Sequence, residues 1–145
     1  MKASEFFTPE QEKLITEAIK NAELHTSGEI RVHIAKKCPG DILDLAANIF
    51  AELGMHKTAL RNGVLFFIVP SQKKFAILGD VGINAKVASN FWDEIKEKMQ
   101  LHFKNNQFDL GLTEAIKMAG DSLQTHFPYQ SNDQNELSND ISYGS

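Results

Sequence analysis

Two polar loops of the sequence carry the side chains best suited to chemistry. The first holds Lys57, Arg61 and Asn62 just before an apolar run, and the second holds Asp80 and Asn84 in a stretch framed by glycines. Carboxylate and amide oxygens are the ligands that calcium and magnesium prefer. An arginine fork binds phosphate or carboxylate through two parallel hydrogen bonds. Together the loops predict a site for a divalent cation and an anionic group, the minimum equipment for metal-assisted hydrolysis of a phosphoester.

Two predicted strands bring these loops together. Residues 63–69 form an apolar run typical of a strand that is covered on both faces. Residues 75–78 return the chain as a second strand after a short turn. In an antiparallel hairpin the entry of the first strand lies beside the exit of the second. We therefore expect the two polar loops to meet at one end of the sheet.

The flanking sequence predicts an α/β fold. Residues 29–35 alternate polar and apolar side chains with the period of a strand. A helical pattern capped by Asp41 separates this strand from residues 63–69, which implies a parallel crossover. Further helical patterns precede the first strand and follow the hairpin, with the last one beginning at Leu110 or Thr113. The result is a three-layer α/β/α sandwich around a small mixed sheet.

This topology also places the start of the first strand at the same end as the two loops. The candidate metal ligands, which all carry side-chain oxygens, are Glu29, Asn62, Asp80 and Asn84. The candidate anion-binding residues are Arg61 and Lys57, and a hard cation such as calcium or magnesium is the expected cofactor.

A purely structural interpretation of the same residues stays open. Arg61 and Asp80 can pair with each other, and Asn62 can cap a turn. His56 is the histidine nearest to the predicted site, but no carboxylate that would orient it can be named. Catalysis therefore does not follow from these residues alone.

Composition limits the classes of function. The chain has 145 residues, enough for one domain with a real core, and a net charge of −4 argues against a nucleic-acid binder. The single cysteine, Cys38, fits a reducing compartment. No signal peptide and no apolar run of roughly 20 residues is present. We expect a cytoplasmic protein without direct membrane insertion.

The last part of the sequence differs in composition. Residues 129–145 are rich in serine, asparagine and acidic residues and contain no lysine or arginine. Such a segment has too little apolar surface to offset its ordering entropy. We predict a folded domain over residues 1–128 and a disordered tail over residues 129–145.

Four sequence blocks carry a resemblance to a known family. The order RNGVLFFIV, FAILGDVGIN, FWDEI and NNQFDLGL resembles the TPM domain, which is known from a thylakoid acid phosphatase, a photosystem II repair factor and a receptor accessory protein. The resemblance covers residues 28–128. It implies the same α/β/α architecture, a sheet of about four strands, and acid-phosphatase-like hydrolysis of a phosphorylated substrate with Asp80 and Arg61 as catalytic residues.

Two functions from different classes follow from this resemblance. The first is a cation-binding domain, calcium favoured, with phosphomonoester hydrolysis as its chemistry. The second is a non-catalytic module that binds a protein partner and assists assembly or repair of a membrane complex. The commoner form of the family has glutamate where Asn84 stands and aspartate at about Ser89 or Asn90, and the loss of these two carboxylates favours the second function.

Overall fold

A computed structural model describes residues 2–88, 90–129 and 137–144. Within these ranges the α-helices are α1 Pro9–Glu23, α2 Ile42–Glu52, α3 Val81–Asn84, α4 Phe91–Lys104 and α5 Phe108–His126. The strands are β1 Glu29–Ile34, β2 Gly63–Val69, β3 Lys74–Gly79 and β4 Ser142–Tyr143. Short 3-10 helices span Ala3–Glu5, Met55–Lys57 and Pro70–Gln72. No helix in the described ranges combines the length and hydrophobicity needed to cross a membrane.

The four described strands form one mixed sheet in the order β3-β2-β1-β4. β1 runs parallel to β2 and to β4, whereas β2 and β3 are antiparallel. The predicted parallel crossover, the hairpin and the small mixed sheet are therefore confirmed.

Helices cover both faces of the sheet. Ile30, Val32 and Ile34 of β1 belong to a core formed with α1, α4 and α5, and β2 contributes Phe66 to the same core. The opposite face packs on α2, with Phe67 at its centre. Every residue of β2 is buried, as expected for a central strand between two helical layers. The predicted three-layer sandwich is confirmed.

Local signals set the helix boundaries. Thr8 and Gln11 form a reciprocal capping box at the start of α1, and Asp41 accepts two backbone N–H bonds at the start of α2. The last helix begins earlier than predicted, at Phe108. The ring of Phe108 packs against Phe103 at 4.7 Å between centroids. Aromatic packing between α4 and α5 therefore extends α5 by a turn that the sequence pattern does not indicate.

The prediction of a disordered tail is wrong for residues 137–144. β4 pairs with β1 in the register His33↔Ser142 and Ile34↔Tyr143, and the Ile141 side chain is buried. Residues 130–136 and 145 lie outside the described residues. A strand of two residues is too short to produce a hydrophobic period, so composition alone gave the wrong result here.

Candidate functional site

Backbone hydrogen bonds bring the predicted site residues to one end of the sheet. The Glu29 N–H donates to the Asn62 carbonyl at 3.3 Å, and the Asp80 N–H donates to the Gly63 carbonyl at 3.0 Å. Glu29 is also the registered neighbour of Gly63. Glu29, Gly63 and Asp80 therefore lie in one row across β1, β2 and the end of β3.

Gly82 holds the two polar loops in direct backbone contact. Its N–H donates to the Arg61 carbonyl at 2.9 Å. A Cβ at this position would lie 2.2 Å from the Leu60 carbonyl oxygen and 2.6 Å from that of Arg61. Only glycine fits here, because backbone atoms cannot move aside as a flexible side chain can. Arg61 itself has a positive φ of 51°, so its loop is tightly turned.

Arg61 and Asp80 form a two-pronged ion pair across this contact. Arg61 Nε lies 2.8 Å from Asp80 Oδ2, and Arg61 Nη2 lies 2.8 Å from Asp80 Oδ1. The Val81 N–H also donates to Asp80 Oδ1 at 2.7 Å. The Asp80 side chain is 4% exposed, whereas that of Arg61 is 44% exposed. The hydrogen bonds to Asp80 raise the pKa of Arg61.

Asn62 is buried beside this pair, with one polar atom left over. Its backbone N–H donates to Thr58 Oγ1 at 3.3 Å, and its side-chain Nδ2 contacts Ser27 Oγ at 3.5 Å. Within the described residues Asn62 Oδ1 has no hydrogen-bond partner. A buried amide oxygen in this state is available as a ligand.

Asn84 is exposed and is occupied by structural contacts. Its Nδ2 donates to the Gly79 carbonyl at 2.9 Å, and its Oδ1 accepts from Trp92 Nε1 at 3.2 Å. Asn84 thus binds a carbonyl group at the free edge of β3 and also binds the indole of Trp92 in α4. Its oxygen is already engaged, which makes Asn84 the weakest of the predicted ligands.

Glu29 is buried and is oriented toward the C-terminal segment. Its Oε1 accepts from the Leu137 N–H at 2.6 Å. Leu137 and Met55 fill the space above Gly63, between Glu29 and Asp80. Lys57 is exposed at the end of the short helix Met55–Lys57.

The described residues fit a divalent cation only in part. They contain no group of three or more His, Cys, Asp or Glu side chains placed to hold a metal ion together. Asp80 supplies a buried carboxylate and Asn62 supplies an unpaired oxygen. A site with one carboxylate and one amide lacks most of the six to eight oxygens that calcium takes.

Sequence analysis missed three ionisable residues near β1. Glu23, the last residue of α1, accepts the Ile30 N–H through Oε2 at 2.8 Å. Burial raises the pKa of Glu23 to about 7; the Ile30 bond opposes this rise, and the charge of Glu29 adds to it. The sequence offers no signal for this contact, because a helix-terminal glutamate usually points into solvent.

The other two missed residues are Arg31 and His33, on the α2 side of β1. His33 stacks on Phe67 with ring centroids 5.5 Å apart, and its Nδ1 lies 2.7 Å from Ser142 Oγ. Burial, and then the charge of Arg31, lower the pKa of His33 to about 4. In the described part of the chain Arg31 Nε and His33 Nε2 are buried without a hydrogen-bond partner. The alternation of residues 29–35 puts His33 among the polar positions of the strand, and in the structure it is buried and paired with β4.

Comparisons with solved structures show the same fold elsewhere. The NMR structure of the BA42 protein from the psychrophilic bacterium Bizionia argentinensis matches with 45% identity and a TM-score of 0.92, over 99% of each chain. The N-terminal domain of the cg2496 protein from Corynebacterium glutamicum has 11% identity and a TM-score of 0.65, covering 92% of this chain and 78% of that one. The N-terminal domain of a protein from P. gingivalis has 16% identity and a TM-score of 0.70, covering 88% and 84%.

A comparison with family models gives a match over most of the sequence. No curated protein matches the chain. The model of the TPM domain matches residues 1–122, which include β1, β2, β3, both polar loops and most of α5. Residues 137–144 lie outside this match. The chain therefore belongs to the TPM domain family.

Proposed function

We propose that the sheet end carrying Asp80 binds a divalent cation, with calcium favoured, in exchange for the side chain of Arg61. The observation that carries this proposal is the asymmetry of the ion pair. Asp80 is buried, while the guanidinium that balances its charge is 44% exposed. A buried carboxylate needs a positive partner, but a half-exposed arginine can rotate into water at small cost.

The unpaired oxygen of Asn62 supports the same proposal. Asn62 Oδ1 is a further ligand for a cation at Asp80, because this oxygen accepts no hydrogen bond among the described residues. Glu29 is a further carboxylate ligand in this proposal, and its Oε1 already accepts from the Leu137 N–H. Water supplies the remaining coordination positions, as is common for magnesium and for weak calcium sites. The expected affinity is therefore modest.

Cation binding in this form also creates an anion site. Arg61, once it leaves Asp80, points a free guanidinium fork at the same surface as Lys57. That fork suits the oxygens of a phosphate group. Phosphomonoester hydrolysis requires both events, because one guanidinium cannot serve Asp80 and a phosphate together. Asp80 and Arg61 are then the residues that hold the metal and the substrate.

A second candidate function rests on exposed apolar side chains at the same end. Leu60 is 48% exposed and Val81 is 59% exposed, and each adjoins one member of the Arg61–Asp80 pair. Large apolar residues beside a positioned arginine are typical of protein-binding surfaces. A non-catalytic module that binds a protein partner through this surface needs no metal and no free Arg61.

The test is a calcium titration of wild-type protein and two variants, followed by NMR amide shifts and by melting temperature. Arg61→Ala removes the internal competitor, so calcium should bind it about tenfold more tightly than wild type and raise its melting temperature by mass action. Asp80→Asn removes the carboxylate at the centre of the proposed site and should abolish both responses. Asp93→Asn, an exposed carboxylate on α4, is the matched control and should behave as wild type.

Two results would contradict the proposal. Shifts confined to residues 41–44, or calcium binding by Asp80→Asn equal to that of wild type, would show that the cation site lies elsewhere. No calcium response in Arg61→Ala would leave the protein-binding function, which Leu60→Ser and Val81→Ser variants then address.

A further inference from the structure

Within the described residues, strand pairing extends over only part of the outer edge of β1. β1 has six residues, but β4 pairs with just two of them, His33 and Ile34. At the other half of the edge a side chain takes the place of a strand, because the Ile30 N–H donates to Glu23 Oε2. The Val32 carbonyl also accepts the Ser142 hydroxyl, whose Oγ lies 3.3 Å away. In the described part of the chain, the first half of this edge is therefore held by side-chain contacts and not by strand pairing.

The side chains beneath this edge form a polar row. Glu29, Arg31 and His33 alternate along β1 and share the face that packs on α2. Residues 137–144 supply one counterpart to each member of the row. Two are hydrogen bonds, from the Leu137 N–H to Glu29 and between the Ser142 hydroxyl and His33. The third is the charge of Asp140, which acts on Arg31 over a longer distance than an ion pair.

The alternate side chains of the segment point to the opposite face. Ile141 is buried and Tyr143 is packed against the core that α1 and α5 share. The Gly144 N–H then closes the contact by donating to the Ile34 carbonyl at 2.8 Å. The domain thus contacts the segment through side chains on both faces and through its backbone. Peptides that bind by strand addition are recognised in the same way.

The fit of the segment is nevertheless incomplete. Arg31 Nε and His33 Nε2 stay buried without a hydrogen-bond partner in the described residues, and Asp140 is exposed. Buried polar atoms without partners weaken the state that contains them. A segment with an acidic side chain closer to Arg31, or with one more residue pair on β1, gains contacts that the present segment does not make.

We propose that the outer edge of β1 is a strand-addition site for an extended acidic segment of a partner protein, and that residues 137–144 occupy it as a built-in competitor. The partner segment runs parallel to β1. It carries an acidic residue opposite Arg31, a hydroxyl residue opposite His33, and apolar residues at the two positions that Ile141 and Tyr143 fill.

Covalent attachment explains why such a site needs a weak occupant. A tethered segment acts at an effective concentration on the order of millimolar. A partner segment must bind more strongly than the tethered tail does. A poorly fitted tail therefore raises the partner concentration needed for binding but does not block the site. A well-fitted tail would exclude every partner.

The test uses the full chain with a single substitution that releases the tail. Ile141→Asp places a charge in the apolar core and should detach residues 137–144. An unlabelled peptide with the sequence of residues 137–144 is titrated into isotopically labelled protein, and the amides of Val32 and Ile34 are followed by NMR. We expect binding to Ile141→Asp about tenfold tighter than to wild type, since the cis competitor is gone.

Matched controls separate recognition from loosened structure. Leu101→Asp adds the same charge at an exposed position of α4 and should leave peptide binding at the wild-type level. A peptide with Asp140→Lys should bind Ile141→Asp at least about tenfold more weakly, because it sets a lysine against Arg31. Gly144→Pro removes the N–H donor to Ile34 and provides a second tail-released variant if Ile141→Asp does not fold.

Three outcomes would overturn the proposal. Equal peptide affinity in wild type and in a folded tail-released variant would show that the tail does not compete. Equal affinity for the Asp140→Lys peptide would show that Arg31 does not select an acidic segment. A wild-type dimer that both tail substitutions abolish would assign the edge to the tail of a second copy, not to another protein.

Discussion

The Asp80 end and the outer edge of β1 bury charged groups in opposite ways. At the Asp80 end both carboxylate oxygens accept bonds from Arg61, and the Val81 N–H adds a third. At the β1 edge Arg31 and His33 each keep a buried nitrogen without a hydrogen-bond partner in the described residues. At the Asp80 end, residues of the same two loops supply these hydrogen bonds. The β1 edge depends on a segment more than a hundred residues away along the chain.

This difference separates two ways of preparing a site. A satisfied ion pair holds its loops in place and must be opened before anything else can bind. An incompletely satisfied row gains from any ligand that supplies the missing contacts. Exchange at the Asp80 end should therefore cost stability, while exchange at the β1 edge should not.

The largest expected effect comes from breaking the Asp80 end at Gly82. Gly82→Ala forces a Cβ against two carbonyl oxygens and should lower the free energy of unfolding by about 3 kcal/mol. Chemical denaturation measures this loss. Gly40→Ala is the control, because no heavy atom lies within 4 Å of its Cβ position. Similar stability of the two variants would mean that the loop contact at Gly82 is loose.

A second effect tests the ion pair itself. Asp80→Asn should lower the free energy of unfolding by about 2 kcal/mol, since it removes hydrogen bonds between charged groups at a buried carboxylate. A double-mutant cycle with Arg61→Ala should show that the two substitutions are not additive. Glu114→Gln, in the more exposed His102–Glu114 pair, should change stability by less than about 0.5 kcal/mol. A coupling energy near zero would show that Arg61 and Asp80 act independently.

A third effect concerns Glu23, beside the β1 edge. Its pKa of about 7 in the folded protein lies above the ordinary 4.5, so the folded state holds the proton more tightly. The stability from this group is complete below about pH 4.5 and is lost as the pH rises through 7. Glu23→Gln should therefore stabilise the protein at pH 8 by about 1 to 2 kcal/mol, and Glu17→Gln should not. If the free energy of unfolding depends on pH equally in wild type and in Glu23→Gln, then Glu23 is not the titrating group.

The smallest expected effect is acid release of the tail at His33. The group faces Arg31 and Ser142, stacks on Phe67, and has a pKa lowered to about 4 from 6.5. A depressed histidine pKa means that docking is strongest above pH 6.5 and weakens as the pH falls toward 4. Amide exchange at Gly144 measures the docking. His33→Gln keeps a hydrogen-bonding side chain and should remove the pH dependence, whereas its persistence would place the titrating group elsewhere.

Sequence alone predicted the parts of the fold that rest on local patterns. The apolar run at 63–69, the alternation at 29–34 and the Asp41 cap each report directly on a strand or a helix end. The hairpin then placed the two polar loops together without any knowledge of side-chain contacts. The structural interpretation of Arg61 and Asp80 as a pair matches the geometry, and the metal and phosphate roles stay predictions.

Sequence could not predict what depends on long-range contacts. The backbone group that contacts Glu23 lies on a strand seven residues onward, and the hydroxyl that contacts His33 lies 109 residues away. By composition, residues 137–144 have too little apolar surface to offset the entropy lost when they become ordered. The open edge of β1 lowers that requirement, because a preformed strand supplies half of each hydrogen bond. Amino-acid composition does not indicate that such an edge is present.

Leu137 connects the two regions thermodynamically. Its N–H binds Glu29, a predicted ligand at the Asp80 end, and its side chain lies over Gly63, between Glu29 and Asp80. If a cation takes Glu29 Oε1, then the Leu137 bond breaks, so cation binding and tail docking oppose each other. Linkage is reciprocal: whatever factor calcium takes from tail affinity, the docked tail takes from calcium affinity. The occupancy of one site would then change the affinity of the other, without any change in β1, β2 or β3.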